Sequence, residues 1–384
     1  MAAVAPRFRA ETVGSLLRPA YLKRARSRHA AGELTAAELE RIEDHAVEEA
    51  IALQQNAGLD VISDGEMRRG DFMAPLYEGV EGAAPTQSRA LTWKHVVTGE
   101  KMTWRIPFSV TGRLRRSHPV TTAGYAYARA RARTPVKQSL PSPLLANWAW
   151  DAEIYEDPFE LLVDAAAVIR EEAGELARLG CEYIQIDAPD IAGFADPSRG
   201  DVHPASGLRI DRLLSEGLDL VNSIPEGIDG VTFGIHLCRG NIRSHYATSG
   251  GYERISRALF GRLTRYQTFL LEYDDERAGG FEPLADCPDD KSVVLGLISS
   301  KIPELEDPQT IAGRVDEAAA HHPREQLALS TQCGFATDVE GNEVTEDQQR
   351  AKLTLVAQLA RRLWPHASPS LSSDDLRRTP CTRT

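Results

Sequence analysis

Long hydrophobic runs, cysteine and positive charge are all scarce in this sequence. No stretch of about 18 apolar residues occurs, so the usual length criterion excludes a membrane-spanning helix. The 5 cysteines are odd in number and widely separated along 384 residues, which is unlike a disulfide framework. Lys and Arg number 44 against 56 Asp and Glu, and the net charge of −12 argues against nonspecific binding to nucleic acid.

The rest of the composition is that of an ordinary globular protein. Hydrophobic residues make up 42% and charged residues 26%, so the chain can bury a large core and is not disordered. Residues 1–10 contain Arg7 and Arg9 but lack the apolar core of a secretory signal. We therefore expect a cytoplasmic protein with no membrane partner and no nucleic-acid partner.

Short apolar segments alternate with long amphipathic segments along the chain. Helical segments are predicted at 36–56, 159–179 and 309–320. The eight strand candidates are residues 12–15, 61–64, 136–140, 183–187, 231–236, 269–272, 293–299 and 327–331. This alternation predicts an α/β fold, a (β/α)8 TIM barrel whose functional side chains collect where the strands end. A doubly wound open sheet is the competing architecture.

A long insertion, residues 76–134, separates the second and third strand candidates. Its alternating segments 91–97 and 104–110 predict a β-hairpin between strands 2 and 3. Residues 101–150 contain no Asp or Glu, so their basic side chains either contact an anionic ligand or form surface salt bridges. We expect one barrel domain over residues 1–368 and a flexible tail over 369–384.

Metal-binding residue types follow three of the predicted strands. His236 and Cys238 have the same side-chain direction, because side chains alternate along a strand. Cys333 and Glu272 end two further strands, and in a barrel these ends converge on one mouth. One imidazole, two thiolates and one carboxylate suit zinc, which accepts mixed nitrogen and sulfur ligands. The alternative is that both cysteines are inert core residues.

Several short motifs fall in order at successive predicted strand ends. The motifs are Gly14-Ser15, Asp64-Gly-Glu66, Asn147-Trp148, Ile184-Gln-Ile-Asp187, His236-Leu-Cys238 and Ser330-Thr-Gln-Cys333. Together they resemble the cobalamin-independent methionine synthase family, specifically its catalytic barrel. The resemblance extends from Thr12 to Trp364, and it is greatest to short, single-barrel members of the family that lack an additional N-terminal barrel.

The resemblance implies a zinc ion and a thiol substrate. His236, Cys238, Glu272 and Cys333 would hold the zinc, with Asp274 or Asp275 as alternatives to Glu272. In this family zinc takes the thiol of homocysteine as an additional ligand, and the thiolate attacks a methyl group. A free thiol has a pKa of about 8.5, and zinc coordination deprotonates it near neutral pH.

The resemblance also implies binding sites for the amino acid and for the methyl donor. Backbone groups around Gly14 and Ser15 would receive the substrate carboxylate. Glu66 and Asp187 would pair with its ammonium group, although a solvated loop residue and a helix cap are their ordinary alternatives. Asn147 and Trp148 would bind the donor, with Trp148 stacking on a pterin ring; a core tryptophan is the alternative.

The chain departs from the family pattern at two places. It has Asp187-Ala188-Pro189 where the full-length enzymes have Asp-Glu-Pro. After the seventh strand candidate it has Lys301 but no counterpart of the histidine that helps protonate the folate leaving group in the family. Lys301 and Asp190 are therefore our candidate catalytic residues.

Three functions remain open from the sequence. The first is zinc-dependent methyl transfer to homocysteine from a methylfolate or a methyl-corrinoid, the donor being free or carried by a partner protein. The second is zinc-dependent alkylation of another small thiol, as in epoxyalkane:coenzyme M transferase. The third is a non-catalytic zinc protein, which a closed four-ligand site would favour.

Overall fold

A parallel sheet of seven strands lies at the centre of the structure, a computed structural model that describes residues 6–365. Strands β1, β12, β11, β10, β8, β7 and β6 are neighbours in that order. The strands of the described residues are β1 (Ala10–Glu11), β2 (Val80–Ala84), β3 (Ala90–His95), β4 (Lys101–Arg105), β5 (Ser109–Arg116), β6 (Gln138–Pro141), β7 (Tyr183–Asp187), β8 (Thr232–Leu237), β9 (His245–Tyr246), β10 (Thr268–Glu272), β11 (Ser292–Ile298) and β12 (Leu327–Thr331).

Helices alternate with the sheet strands, and their ends carry ordinary capping residues. Thr35 and Glu38 form a capping box at the start of α2, and Asp157 caps α4 ahead of a proline at the first helical position. The helices are α1 (Ala20–Ala30), α2 (Ala36–Ala57), α3 (Thr122–Arg131), α4 (Pro158–Arg178), α5 (Pro189–Gly193), α6 (Ile210–Arg212), α7 (Leu218–Asn222), α8 (Ser256–Arg262), α9 (Pro308–Ala318) and α10 (Glu346–Leu363). A π-helical turn, Leu213–Gly217, joins α6 to α7.

The sheet curls so that its two edge strands approach each other. Isolated parallel bridges join Glu11 to Val61 and Ile62 to Val136, so the segment around 61–62 lies between the edges. Lys137 Nζ, next to β6, lies 2.5 Å from Glu11 Oε2 on β1 and 2.7 Å from Gln185 Oε1 on β7. Side chains from opposite edges therefore meet on the concave face. A full (β/α)8 barrel with an inserted hairpin stays a prediction, because seven strands are hydrogen-bonded into the sheet.

The predicted strands agree with the structure where the apolar run is buried on both faces. Predicted strands 183–187 and 327–331 are β7 and β12 with the same bounds. The first predicted strand, 12–15, was misplaced, because β1 pairs at Ala10–Glu11 and the chain leaves the sheet before Gly14. The predicted strand 61–64 is reduced to bridges at its first two residues.

Residues 80–116 form two small antiparallel sheets beside the central one. Strand β2 pairs with β5, while β3 pairs with both β4 and β9. Strand β9 belongs to the loop that follows β8, so this pairing attaches residues 80–116 to the central sheet. Gly240 in that loop has φ +89°, and a Cβ there would lie 2.4 Å from the Trp93 ring. Only glycine therefore lets Trp93 of β3 approach so closely.

Several basic side chains of residues 101–150 form ion pairs. Arg113 contacts Glu160 and Asp164, and Arg116 contacts Glu172 and Glu175. For these arginines the salt-bridge alternative is confirmed.

Within residues 6–365, no helix has both the length and the apolar character needed to cross a membrane. The predicted tail, 369–384, lies outside the described residues, and the division into domains stays a prediction.

We expect the buried pair between Lys137 and Glu11 to matter for stability through charge compensation. Both side chains are 1% exposed, so Lys137→Met leaves a buried carboxylate without its cation. The free energy of unfolding, measured in urea, should fall by about 3–5 kcal/mol. The double variant Lys137→Met, Glu11→Leu should recover most of that loss. Equal losses in both variants would show that packing, and not charge, dominates.

Candidate active site

A cavity opens where the sheet strands end, with a volume of about 860 Å³ that includes space open to solvent. Its polar wall includes residues that end or follow strands of the central sheet: Gly14, Ser15, Asp187, His236, Cys238 and Cys333, with Glu66 from the segment after 61–62. Its apolar wall includes Leu91, Trp93, Trp104 and Ile106 from the β3–β4 region. The cavity therefore combines polar groups from several strand ends with aromatic side chains from the β3–β4 region.

The structure brings His236, Cys238 and Cys333 together as a buried group. The ligand atoms of these three residues all lie within 4.8 Å of one another. The Nδ1 atom of His236 lies 3.2 Å from the carbonyl oxygen of Leu270, while its Nε2 has no hydrogen-bond partner among residues 6–365. A hydrogen bond from the Cys238 thiol, together with His236, holds the pKa of Cys333 well below its usual value. Imidazole and thiolate so arranged are donors that a metal ion can share.

Glu272 ends β10 beside this group but is not one of its three members. Its carboxylate accepts hydrogen bonds from the Arg239 backbone N–H (2.5 Å), Gln332 Nε2 (3.0 Å) and Lys301 Nζ (3.4 Å). Burial alone would raise the pKa of Glu272, but the cations of Lys301, Arg239 and Arg277 lower it to about 2. Glu272 is therefore an ionised carboxylate with several donors, and its role as a ligand stays a prediction.

The two predicted substitutes for Glu272 have other partners. Asp274 accepts a hydrogen bond from Ser299 Oγ at 2.7 Å and lies 3.8 Å from Lys301 Nζ. Asp275 forms an ion pair with Arg277. Neither belongs to the three-residue group formed by His236, Cys238 and Cys333.

Lys301 and Asn147 are buried behind the cavity and do not line it. Lys301 is 1% exposed and lies between two carboxylates, so its nearest partners are protein groups. Asn147 is fully buried, and among the described residues its side-chain oxygen and nitrogen have no hydrogen-bond partner. Neither predicted residue lines this cavity, and their roles stay predictions.

Glu66 and Asp187 line the same cavity as the buried His/Cys group. Glu66 has φ 56°, an uncommon backbone conformation for this residue type, and its Oε1 accepts a hydrogen bond from Ser139 at 2.9 Å. A Cβ on Gly14 would lie 2.7 Å from that Oε1, so glycine leaves the carboxylate its room. Gln185 donates to Asp187 at 2.6 Å, while burial raises the pKa of Asp187 to about 7.

Trp148 and Asp190 both line the cavity, and Asp190 lies just after the end of β7. The Trp148 ring is 7% exposed and meets the His203 ring edge to face at 4.5 Å, and the Arg199 guanidinium carbon lies 5.7 Å from its centroid. Asp190 also lines the cavity, and Ser142 Oγ donates to its Oδ2 at 3.2 Å. Burial raises the pKa of Asp190 to about 7.

Trp93, Trp104, Arg199 and His203 were not identified from the sequence as site residues. The alternating pattern of 91–97 and 104–110 indicated strands, but it could not show that their tryptophans reach the cavity. That placement depends on the long-range pairing of β3 with β9. No local signal distinguishes Arg199 or His203 from ordinary loop residues.

Residues 8–203 match the family model for the catalytic domain of cobalamin-independent synthase. The chain belongs to this family. Within the cobalamin-independent synthase family, it is 36% identical over 364 residues to YxjH, an uncharacterized protein of Bacillus subtilis strain 168, covering 93% of this chain and 95% of that one. The family resemblance read from the motifs is thus confirmed.

Other members of the cobalamin-independent synthase family are more distant. The 5-methyltetrahydropteroyltriglutamate–homocysteine methyltransferase of Mycolicibacterium paratuberculosis is 26% identical over 328 residues, which are 85% of this chain but 40% of that enzyme. A crystal structure of a proposed vitamin-B12-independent methionine synthase from Listeria monocytogenes superposes with a TM-score of 0.72, at 27% identity, covering 94% of this chain and 99% of that chain.

We expect Lys301 to stabilise the buried carboxylates behind the cavity. Replacing it with Met leaves Glu272 and Asp274 without their shared cation, so the free energy of unfolding should fall by about 3–5 kcal/mol. Lys101→Met, at an exposed lysine of β4, is the control and should change stability little. Urea unfolding of both variants measures the difference. Unchanged stability of Lys301→Met would leave Lys301 free for a direct chemical role.

Proposed function

We propose that this protein is a zinc-dependent thiol methyltransferase that makes methionine from homocysteine. The observation that carries the proposal is that His236, Cys238 and Cys333 share one cavity with the carboxylates of Glu66 and Asp187. Membership of the cobalamin-independent synthase family supports it. The methyl donor is a methylfolate or a methyl-corrinoid, the latter either free or carried by a partner protein.

The donor set at this site fits zinc. The His236 Nε2 atom has no hydrogen-bond partner in the described part of the chain, and two thiols lie next to it. These buried groups match the nitrogen and sulfur ligands that zinc prefers and that harder cations avoid. Glu272 completes the ligand set that the family resemblance implies. When bound, zinc would lower the pKa of a coordinated substrate thiol and so supply the thiolate nucleophile at neutral pH.

The two carboxylates give this cavity a preference for an ammonium group. Glu66 Oε2 is buried without a hydrogen-bond partner among residues 6–365, and Asp187 lies on the same wall. In a poorly solvated cavity, each attracts a cation more strongly than it would at the surface. We propose that they orient homocysteine through its ammonium group while Gly14 and Ser15 receive its carboxylate. The substrate sulfur would then point toward the His/Cys group.

The aromatic wall has a separate task in this proposal. Trp93, Trp104 and Trp148 cover the cavity with apolar surface, which excludes water from the reacting atoms and offers flat faces to a donor ring. Closure of the curled sheet into a full (β/α)8 barrel through residues 61–64 is part of the same proposal. It would fix all the strand ends around one mouth.

Two other functions remain as test outcomes. Another small thiol, such as the sulfonated coenzyme M, would replace homocysteine if a cation such as Arg199 bound its anionic end. A zinc protein without catalysis would have a closed ligand set. Neither explains why two carboxylates lie beside the His/Cys group.

We expect the purified protein to bind about one zinc ion per chain, held by the thiolates and the imidazole. Cys333→Ser should lower zinc occupancy after dialysis against a chelator, because a soft ligand is lost. Cys287→Ser, at a buried cysteine outside the cavity, is the matched control. Metal analysis by mass spectrometry measures both. Full zinc occupancy in Cys333→Ser would contradict the ligand assignment.

We expect zinc-loaded protein to form methionine from homocysteine with methyl-tetrahydrofolate or with methylcobalamin, each supplied separately. Glu66→Gln should raise the KM for homocysteine, because one of the two charges facing the ammonium group is removed. Coenzyme M with an epoxide serves as the comparison reaction. Product with coenzyme M but not with homocysteine, or no product with either thiol, would overturn the assignment of homocysteine.

A further inference from the structure

Asp190 is a buried acid two residues after Ala188, where the sequence departs from its family. The full-length enzymes have an acidic residue after the aspartate of β7, whereas this chain has Ala188 there and Asp190 two residues further on. Asp190 is the second residue of α5, which packs against the segment that carries Trp148. Both residues line the cavity, and each is 7% exposed. The acid therefore stands beside the tryptophan assigned to the methyl donor.

The environment of Asp190 favours the neutral carboxyl group. Its Oδ1 has no hydrogen-bond partner among residues 6–365, whereas Oδ2 accepts one from Ser142. Burial raises its pKa to about 7, and hydrogen bonds from nearby backbone N–H groups and from Ser142 oppose that rise. A proton is therefore present on a large fraction of Asp190 at neutral pH. The titratable and charged side chains on the same walls are Glu66, Asp187, Arg199, His203, His236, Cys238, Arg239 and Cys333.

The two donor classes differ in their need for a proton. When a thiolate attacks a methyl group on an amine nitrogen, the electron pair of the broken C–N bond stays on nitrogen, and a proton must accompany it for efficient departure. When the methyl group leaves a corrinoid, the electron pair stays on cobalt and no proton is needed. An acid beside the donor site has a use only in the first case.

We propose that Asp190 is the general acid of this site and that the methyl donor is a methylated amine nitrogen, as in methyl-tetrahydrofolate. This inference rests on the proposed function. The sulfur–methyl bond forms as the nitrogen–methyl bond breaks, and the nitrogen takes the proton of the Asp190 carboxyl group. The products are methionine and the demethylated amine, and solvent reprotonates Asp190.

The other titratable groups are less suited to this task. Lys301 does not line the cavity and is paired with Glu272 and Asp274. Burial lowers the pKa of His203 to about 3, so its imidazole carries no extra proton near neutral pH. Burial raises the pKa of Asp187 to about 7 as well, but Asp187 is assigned to the ammonium group of the substrate, whose positive charge favours the ionised carboxylate.

The test compares Asp190→Asn with the unchanged protein, using methyl-tetrahydrofolate and methylcobalamin as separate donors. We expect the kcat of Asp190→Asn with methyl-tetrahydrofolate to fall by about 10²–10⁴-fold, which is the usual contribution of a general acid to the rate. The rate with methylcobalamin should stay within about threefold of the original. Asp201→Asn, at an exposed carboxylate before β8, is the matched control and should change neither rate. Zinc content, thermal unfolding and homocysteine affinity verify that each variant is folded and loaded.

A pH profile separates proton donation from a structural role. The ratio of the folate rate to the cobalamin rate cancels ionisation of the thiol, which both reactions share. For the unchanged protein this ratio should fall as the pH rises through about 7, because Asp190 loses its proton. In Ser142→Ala the fall should move to higher pH, since the hydrogen bond that stabilises the carboxylate is lost. A ratio independent of pH would overturn the proposal.

The remaining outcomes distinguish this inference from the proposed function. If Asp190→Asn keeps its folate rate, Asp190 is not the acid, although methionine formation stands. If the unchanged protein uses methylcobalamin alone, the donor class is wrong and the methyltransferase assignment stands. If neither donor gives methionine, the proposed function fails and this inference fails with it.

Discussion

Curling of the parallel sheet is the constraint on which the site depends. Residues at the ends of β7 and β8 and just after β1 and β12 line one cavity only because the two edges of the sheet approach each other. The bridges at Val61 and Ile62 and the buried contact between Lys137 and Glu11 lie at that approach. If the edges separated, Gly14 and Glu66 would move away from Asp187, and the cavity would lose its two-sided polar wall. The buried ion pair between Lys137 and Glu11 thus helps to hold together the strand ends that form the site.

The His/Cys group depends in a similar way on the cations and hydrogen-bond donors that compensate the charge of Glu272 behind the cavity. Glu272 is fully buried, and such a carboxylate is tolerable only because Lys301, Arg239 and Gln332 supply charge and hydrogen bonds. These donors hold Glu272 beside His236 and Cys238. Hydrogen bonds of this kind are how a metal site keeps its ligands oriented.

The sequence predicted the members of this site better than their surroundings. His236 and Cys238 could be placed on one side of a strand because alternation along β8 is a local property. Cys333 could be added because β12 is a buried apolar run with a clear end. Position 61–64 was harder: its apolar residues indicate a strand, but whether they form a ladder or isolated bridges depends on both sheet edges at once. No sequence signal indicated that Lys301 pairs with two buried carboxylates, Glu272 and Asp274.

Long-range pairing explains the other limits of prediction. The tryptophans of β3 and β4 have no local signal for a cavity, because their approach depends on β9 and on the space above Gly240. Likewise, residue type alone does not tell a solvated aspartate from a neutral buried one. Asp190 differs from an ordinary loop acid through its burial among groups far away in sequence, of which Ser142 is the nearest donor.

The three acids of the cavity illustrate how environment divides similar groups. Glu66 lies 3.9 Å from the Arg69 guanidinium, Asp187 shares its wall with His236, and Asp190 stands apart from both, near Trp148. A carboxylate beside a cation keeps its negative charge and attracts an ammonium group, whereas one surrounded by apolar walls keeps its proton. Because both conditions occur in one cavity, the same chemical group can bind the amino acid and supply a proton in our proposal. The pairing of Glu66 with Arg69 and the isolation of Asp190 are thus the features that separate the two tasks.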